Sequence, residues 1–241
     1  MLVRLEEPTL FLKIIEVISE LVTEVKIKIN EFGMSIVAID PANVAMVKFK
    51  LPKSAFSQFE SGNEILGVNL DSLKRILKRS GSGTPLTLEK KENFLEIQIQ
   101  GKIKRHFSLN LIEIDAPEKE MPTLDYSAKV EVFSPDLVSS IEDCAVVSDA
   151  CSFEIKERKF LIETKGLNSA RSEFSEDEAK IEAEECKSKY SLEYLQKFAK
   201  GIKLCDKTTL YFANDHPLKI EIKAGYIELS FLLAPRVETE D

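Results

Sequence analysis

Two stretches of this chain carry the same apolar spacing at a fixed distance. Leu70, Leu73 and Ile76 recur as Leu192, Leu195 and Phe198, and the alternating Leu95, Ile97 and Ile99 recur as Leu218, Ile220 and Ile222. The offset stays at roughly 122 to 127 residues along the chain, which is 241 residues long. A period near half the length predicts two copies of one α+β unit, each a sheet backed by two helices.

Within the first copy, Pro8–Leu21 reads as a helix with Leu10, Ile14, Val17/Ile18 and Leu21 inward. Val25–Ile29 alternates strictly as a half-buried strand, and further strands are expected over Met34–Ile39 and Val44–Leu51, separated by the break Asp40-Pro41-Ala42-Asn43. The run Gly67–Gly81 predicts a short helix ended by Gly81-Ser82-Gly83, with Lys74, Arg75, Lys78 and Arg79 on its polar side. A hairpin over Leu86–Glu89 and Phe94–Gln100 and a strand over Lys104–Leu111 complete this half. Asp115–Asp125 has two prolines among clustered charges, which favours an extended, exposed strap. The expected division is an N-terminal domain 1–114, a connector 115–126 and a C-terminal domain 127–241. In the second copy, helices are expected over Pro135–Val147 and Tyr190–Lys203. Strands are expected over Ser152–Lys156, Lys159–Thr164, Leu210–Ala213, Leu218–Ile222 and Ile227–Leu233.

Charge narrows the function classes. The formal net charge is -8 and the pI is about 5.1, which excludes coating nucleic acid through overall charge. The cations are local: two of the four predicted helices carry clustered Lys and Arg, the second at Lys197, Lys200 and Lys203. Such faces are either solvated or neutralise phosphates, and phosphate contacts are salt-sensitive and carry no base information. No aromatic residues interleave for single-strand stacking, and no helix-turn-helix or zinc pattern reads base edges. No apolar run approaches the roughly 18 residues that span a bilayer. Acid in Met1–Glu7, where a signal peptide needs base, makes a location inside the cell the expectation. The four cysteines, at 144, 151, 186 and 205, form no Cys-x-x-Cys pair and read as free thiols.

Enzyme readings lack a constellation. Asp215-His216 lies in an Asn-Asp-His-Pro turn, His106 stands alone in a strand, and neither has a nearby nucleophile. Glu176-Asp177-Glu178 and Glu182/Glu184/Glu185 read as solvated charge, with no metal site. Gly81-Ser82-Gly83 lacks the lysine of a phosphate loop. No catalytic residue and no cofactor is expected.

Several segments in order resemble the proliferating cell nuclear antigen family of DNA sliding clamps, in its archaeal form. These are Gly67–Lys78, Ile39–Val44, Tyr194-Leu195 with Phe198 and Lys200, the strap Asp115–Tyr126, and the terminal Leu232–Glu238. The resemblance runs from about residue 8 to the C-terminus. It implies two repeated clamp-type domains, with antiparallel sheets outside and helices lining a central hole, assembling three to a ring around duplex DNA. It implies Lys13, Arg75, Lys78 and Lys200 as DNA-facing residues, with Arg79 and Lys197 nearby. It also implies a pocket for client peptides at Ile39, Val44, Met46, Met121, Pro217, Leu232, Ala234 and Pro235. The partners it implies are double-stranded DNA, DNA polymerase, flap endonuclease, DNA ligase, a clamp loader of the replication factor C type, and itself or paralogues as a trimer, with no membrane. The expected place is the cytoplasm (the archaeal nucleoid), or the nucleus in a eukaryote. Two departures stand out: Ser139, Ser140, Glu142 and Asp143 are expected outward where the family has bases, as is Glu193, and Lys119 replaces an apolar residue on the strap. The alternatives left open are a protein-interaction scaffold through which no DNA passes, and one subunit of a heterotrimeric clamp.

Overall fold

The computed structural model describes residues 1–237, so Glu238, the last residue of the terminal motif, lies outside the described residues. The chain forms two compact units. The first takes residues 1–41, 47–120 and 225–228; the second takes 42–46, 121–224 and the chain from Leu229 onward.

The first half runs β1 (Leu2–Leu5), α1 (Thr9–Ile18), β2 (Glu24–Asn30), β3 (Gly33–Ile39), β4 (Ala45–Pro52), β5 (Gln58–Glu60), β6 (Glu64–Asn69), α2 (Leu70–Leu77), β7 (Leu86–Lys91), β8 (Phe94–Gln100) and β9 (Lys104–Asn110). The second half repeats that order as β10 (Ala128–Phe133), α3 (Ser134–Val147), β11 (Ala150–Lys156), β12 (Lys159–Thr164), β13 (Ala170–Phe174), β14 (Ala179–Ala183), β15 (Cys186–Ser191), α4 (Leu192–Ile202), β16 (Lys207–Phe212), β17 (Leu218–Ala224) and β18 (Ile227–Leu233). The strands of the first half lie in two rows, β5-β1-β7-β8-β9 and β4-β3-β2-β6; those of the second lie as β14-β10-β16-β17-β18 and β13-β12-β11-β15. Element by element the two halves correspond, as the repeated spacing predicts. Each half has two rows of strands with two helices, rather than the single sheet expected.

Alternation decides the strands. In β2 the side chains of Val25, Ile27 and Ile29 are buried, while Lys26 and Lys28 turn to the other face. The helices bury one stripe each: Phe11, Ile14, Ile15, Val17 and Ile18 on α1, and Leu70, Leu73 and Leu77 on α2. In the second unit Phe198 of α4 stacks on Phe231 with ring centroids 4.3 Å apart, and Tyr190 is fully buried.

Several expectations need correction. α1 stops at Ile18, because the amides of Leu21 and Val22 both return to the Ile18 carbonyl and bury Leu21 in a turn. α2 stops at Leu77, because the Ser80 amide and hydroxyl both bond the Leu77 carbonyl ahead of the glycines. Ser140 is buried, not outward, and its hydroxyl donates to the Asp136 carbonyl one turn back. Tyr190 belongs to β15 and not to the helix that follows. Strands β1, β5, β6, β10, β14 and β15 were not expected; most are short or mostly polar, so alternation leaves little signal, whereas β10 does alternate, with Ala128, Val130 and Val132 inward, and was passed over.

One glycine fixes the path of the strap. The chain after β9 passes so close over β6 that a Cβ on Gly67 would lie 2.0 Å from the Ile112 carbonyl oxygen. The Ile112 amide donates to the Gly67 carbonyl at 3.0 Å. Residues 111–126 form no helix or strand.

Candidate nucleic-acid interface and peptide pocket

In the first unit α1 and α2 present the predicted cations together. Asn69 caps α2 by accepting the Ser72 amide at 3.0 Å, which sets where the helix begins and hence which side faces out. Lys74, counted among the four cations of that face, is half-buried and tied down: its ammonium donates to the Ser19 hydroxyl and pairs with Asp71, both at 2.9 Å. Lys78 pairs with Glu16 of α1 at 3.0 Å, joining the two helices. Arg75 is exposed and donates to the Ser72 hydroxyl at 3.3 Å. Lys13 and Arg79 are exposed, and among the described residues Lys13, Arg75 and Arg79 enter no ion pair. Exposed pairs such as Lys78–Glu16 are worth about 0–1 kcal/mol, so an arriving phosphate can take the lysine over.

The second unit differs. Lys197 lies over the Tyr194 ring at 4.9 Å and pairs with Glu193 at 2.8 Å. Lys203 pairs with Glu142 of α3 at 2.9 Å. Lys200 is exposed on α4, while α3 exposes Asp136, Ser139, Glu142 and Asp143. The acidic character read for α3 therefore stands, with Ser140 removed from its outer face.

Among the peptide-pocket residues, Val44, Met46, Met121, Pro217, Leu232, Ala234 and Pro235 belong to the second unit and Ile39 to the first. The Ala234 amide donates to the Val44 carbonyl at 2.9 Å, which brings the strand break and the C-terminal segment together. Leu232 is buried; Val44, Met46, Met121, Pro217, Ala234 and Pro235 are half-buried, the exposure expected of walls that close on an apolar side chain. Beside them Arg236 pairs with Asp149 at 2.7 Å and holds that carboxyl below its usual range. Tyr126, at the end of the strap, sets its ring against Tyr211 and His216. Its hydroxyl is pushed up to about 12 by burial and by the charge of Glu221.

The strap adds residues that the sequence reading passed over. In the first unit the Lys26 ammonium donates to the Ala116 carbonyl at 2.5 Å, and Lys28 pairs with Glu118 at 2.6 Å. The hydrogen bond and charge of Lys28 hold the Glu118 carboxyl below its usual range. A signal was present: two lysines share one face of β2, and an acid lies on the strap. Ile39 lines a groove of about 170 Å³ between this strap and the β2–β3 face.

The residues weighed for other chemistry fall elsewhere. Asp215 sits at positive φ in the turn after β16, and the His216 carbonyl accepts from the Ser188 and Tyr190 hydroxyls. Glu176 pairs with Arg158, and Glu182 pairs with Lys129 and Lys180. Among the described residues no three His, Cys, Asp or Glu side chains gather to hold a metal ion, and no helix is long and apolar enough to cross a membrane.

Comparison with known proteins shows the family. Residues 1–120 match the N-terminal domain of proliferating cell nuclear antigen and residues 120–237 match its C-terminal domain. The chain is 40% identical over 239 residues to a DNA polymerase sliding clamp of Pyrococcus horikoshii, covering 95% of each. It is 39% identical over 236 residues to DNA polymerase sliding clamp 1 of Thermococcus kodakarensis, again covering 95% of each. The crystal structure of proliferating cellular nuclear antigen from Entamoeba histolytica shares the fold, with a TM-score of 0.91, 24% identity and 98% of each chain covered. The chain belongs to the proliferating cell nuclear antigen family of sliding clamps.

Proposed function

We propose that this chain forms a ring around duplex DNA, holds it through the α1–α2 cations, and tethers DNA polymerase and other replication enzymes by their peptides. The observation that carries the reading is the gathering of Lys13, Arg75, Lys78 and Arg79 on two packed helices and the turn that ends the second, in a chain whose net charge is -8. A surface that neutralises phosphates without reading bases can slide, and a closed ring stays on by topology, so tight binding is unnecessary. Within the second unit, Lys197 and Lys200 on α4 are the corresponding cations of this reading. In the second unit, Val44, Met46, Met121, Pro217, Leu232, Ala234 and Pro235 are the residues that receive an aliphatic-and-aromatic segment of the client. Flap endonuclease, DNA ligase and a clamp loader of the replication factor C type are the further clients of this reading. The chain works in the cytoplasm, at the nucleoid of an archaeon, and itself requires no cofactor and performs no catalysis.

Ring closure follows from the repeat. Within the second unit, the segment leading into β4 bonds the residue after β18. The counterparts of β4 and β18 are β13 and β9, and each ends its row of strands among the described residues. Pairing β9 of one copy with β13 of the next reproduces the internal contact and continues head to tail. The acidic α3 favours a second reading, in which the chain is one member of a mixed ring; light scattering of the purified chain separates a mass near 27.2 kDa from three times that value.

The test of DNA encirclement uses nicked circular DNA, an archaeal clamp loader and ATP. The protein should stay on the circle and be lost when the circle is cut. In the absence of loader, Arg75→Ala with Arg79→Ala should flatten the plot of log affinity against log salt by about 0.9 for each phosphate contact removed. Equal retention on linear and circular DNA, or an unchanged slope, would refute the reading.

A further inference from the structure

The strap after β9 crosses the outer face of β6, β2 and β3 with little packing of its own. It first touches down at Gly67. Beyond that, its hydrogen bonds and ion pairs to the first unit, among the described residues, come from Lys26 to the Ala116 carbonyl and from Lys28 to Glu118. Lys26 and Lys28 are two residues apart on one face of β2, and Ala116 and Glu118 are two apart on an extended segment. The two repeats match, so each lysine meets the strap in register. Beneath lies the groove of about 170 Å³ lined by Val37, Ile39, Ile114, Ala116 and Pro117, which the strap roofs without filling. A segment buried in core packing is indifferent to salt; one held by exposed lysines is not, because ions screen such contacts.

We infer that Lys26 and Lys28 are positioning residues for peptide recognition, latching the strap at Ala116 and Glu118 so that Met121 is presented to a client peptide that neither lysine touches. The inference rests on the peptide-binding reading proposed above. Met121 follows Glu118 by three residues, an extended reach of about 10 Å. With both latches open the nearest fixed points are Ile112, nine residues before, and Tyr126, five residues after, and the reach grows to about 17 Å. The latch therefore removes most of the positions Met121 would otherwise sample, and a peptide meets a wall already in place. It also makes peptide affinity fall with salt even where the peptide itself is uncharged.

The experiment measures fluorescence anisotropy of a labelled, uncharged peptide carrying one aliphatic and two aromatic side chains, bound to the full chain across a salt series. Lys28→Met should weaken binding at low salt by about two- to fivefold, the range of an exposed ion pair, and reduce the salt dependence. Lys26→Met with Lys28→Met should weaken it further. A charge swap, Lys28→Glu with Glu118→Lys, should recover the Lys28→Met loss when Lys26→Met is in the background to remove the neighbouring charge. Both lysines lie on the outward face of β2, so these variants should keep the parent's thermal midpoint and solution mass. Failure of the parent protein to bind the peptide overturns the pocket reading itself. Parent binding with unchanged affinity and salt dependence in every latch variant, or weakening that the swap does not recover, overturns the latch.

Discussion

Gly67→Ala tests the close approach on which the strap depends. The added methyl would lie 2.0 Å from the Ile112 carbonyl oxygen, 3.0 Å from the Ile112 carbonyl carbon and 3.3 Å from a side-chain carbon of Ile114. Carbon–oxygen contacts settle near about 3.3 Å, so the strap backbone must retreat by about 1.3 Å. That lengthens the hydrogen bond from the Ile112 amide to the Gly67 carbonyl, now 3.0 Å, past useful range. Its loss costs about 0.5–1.5 kcal/mol, and forcing backbone into an occupied site costs about 1–3 kcal/mol. Against this, replacing Gly by Ala restricts the unfolded chain and returns about 0.4–1 kcal/mol, because Gly67 is not in the left-handed region. The net expectation is a loss of about 1–3 kcal/mol, read as a lower urea midpoint in a denaturation series. Gly62→Ala is the internal control: a Cβ there meets nothing within 4 Å, so that variant should be neutral or slightly stabilised. If Gly67→Ala were as stable as the parent, the strap would not pass over β6 as described.

Asn69→Ala should cost about 1 kcal/mol of stability through loss of the α2 cap, read as a lower urea midpoint, with Asn69→Ser close to neutral. Glu163 supplies a pH prediction: it is 4% exposed and accepts from Lys165 at 2.7 Å and Lys187 at 3.4 Å. Burial alone would raise its pKa, but the two lysines outweigh burial and hold the carboxyl below the model-peptide value of 4.5. Its folded form therefore binds a proton less readily than its unfolded form. The stability it contributes is present above about pH 4.5 and is lost as pH falls through the folded value. Urea titrations should find Glu163→Gln less stable than the parent at neutral pH, with the gap closing in acid; a gap independent of pH would contradict the assignment.

Apolar spacing made the repeat legible because spacing is what burial reads. Leu70, Leu73, Leu192, Leu195 and Phe198 are all buried, and a periodic stripe is the direct record of that. Ile76 keeps the spacing but is only half-buried, which marks the edge of the stripe. What the sequence hid depends on neighbours far along the chain. β5 has three residues, and its pairing among the described residues is with β1, more than 50 residues earlier in the chain. Gly67 read as the lead into a helix, yet its role is set by Ile112, 45 residues later. The latch was hidden for the same reason: nothing local to Lys26 and Lys28 says that a strap 90 residues on will cross them. The Ser140 hydroxyl satisfies itself on the preceding turn, so its polarity gave a false outward signal.

The same distinction explains why the two copies agree in shape and differ in charge. Packing constrains Leu137, Ile141 and Cys144 on α3 as it constrains Ile14, Ile15 and Ile18 on α1, since a cavity in either core is costly. Their outer faces carry no such constraint and have diverged. In the first unit Glu16 engages Lys78, leaving Lys13, Arg75 and Arg79 outside ion pairs among the described residues. In the second, Glu142 takes up Lys203 and Glu193 takes up Lys197, with Asp136 and Asp143 exposed beside them. On the function proposed above, a ring of such chains would meet a duplex with alternating grip, strong at each α1–α2 pair and weak at each α3–α4 pair. Since phosphate attraction scales with the cations that can release counterions, most of the salt slope then belongs to the first unit. Holding DNA at intervals is enough for a closed ring, which needs only to stay centred while the duplex moves through it.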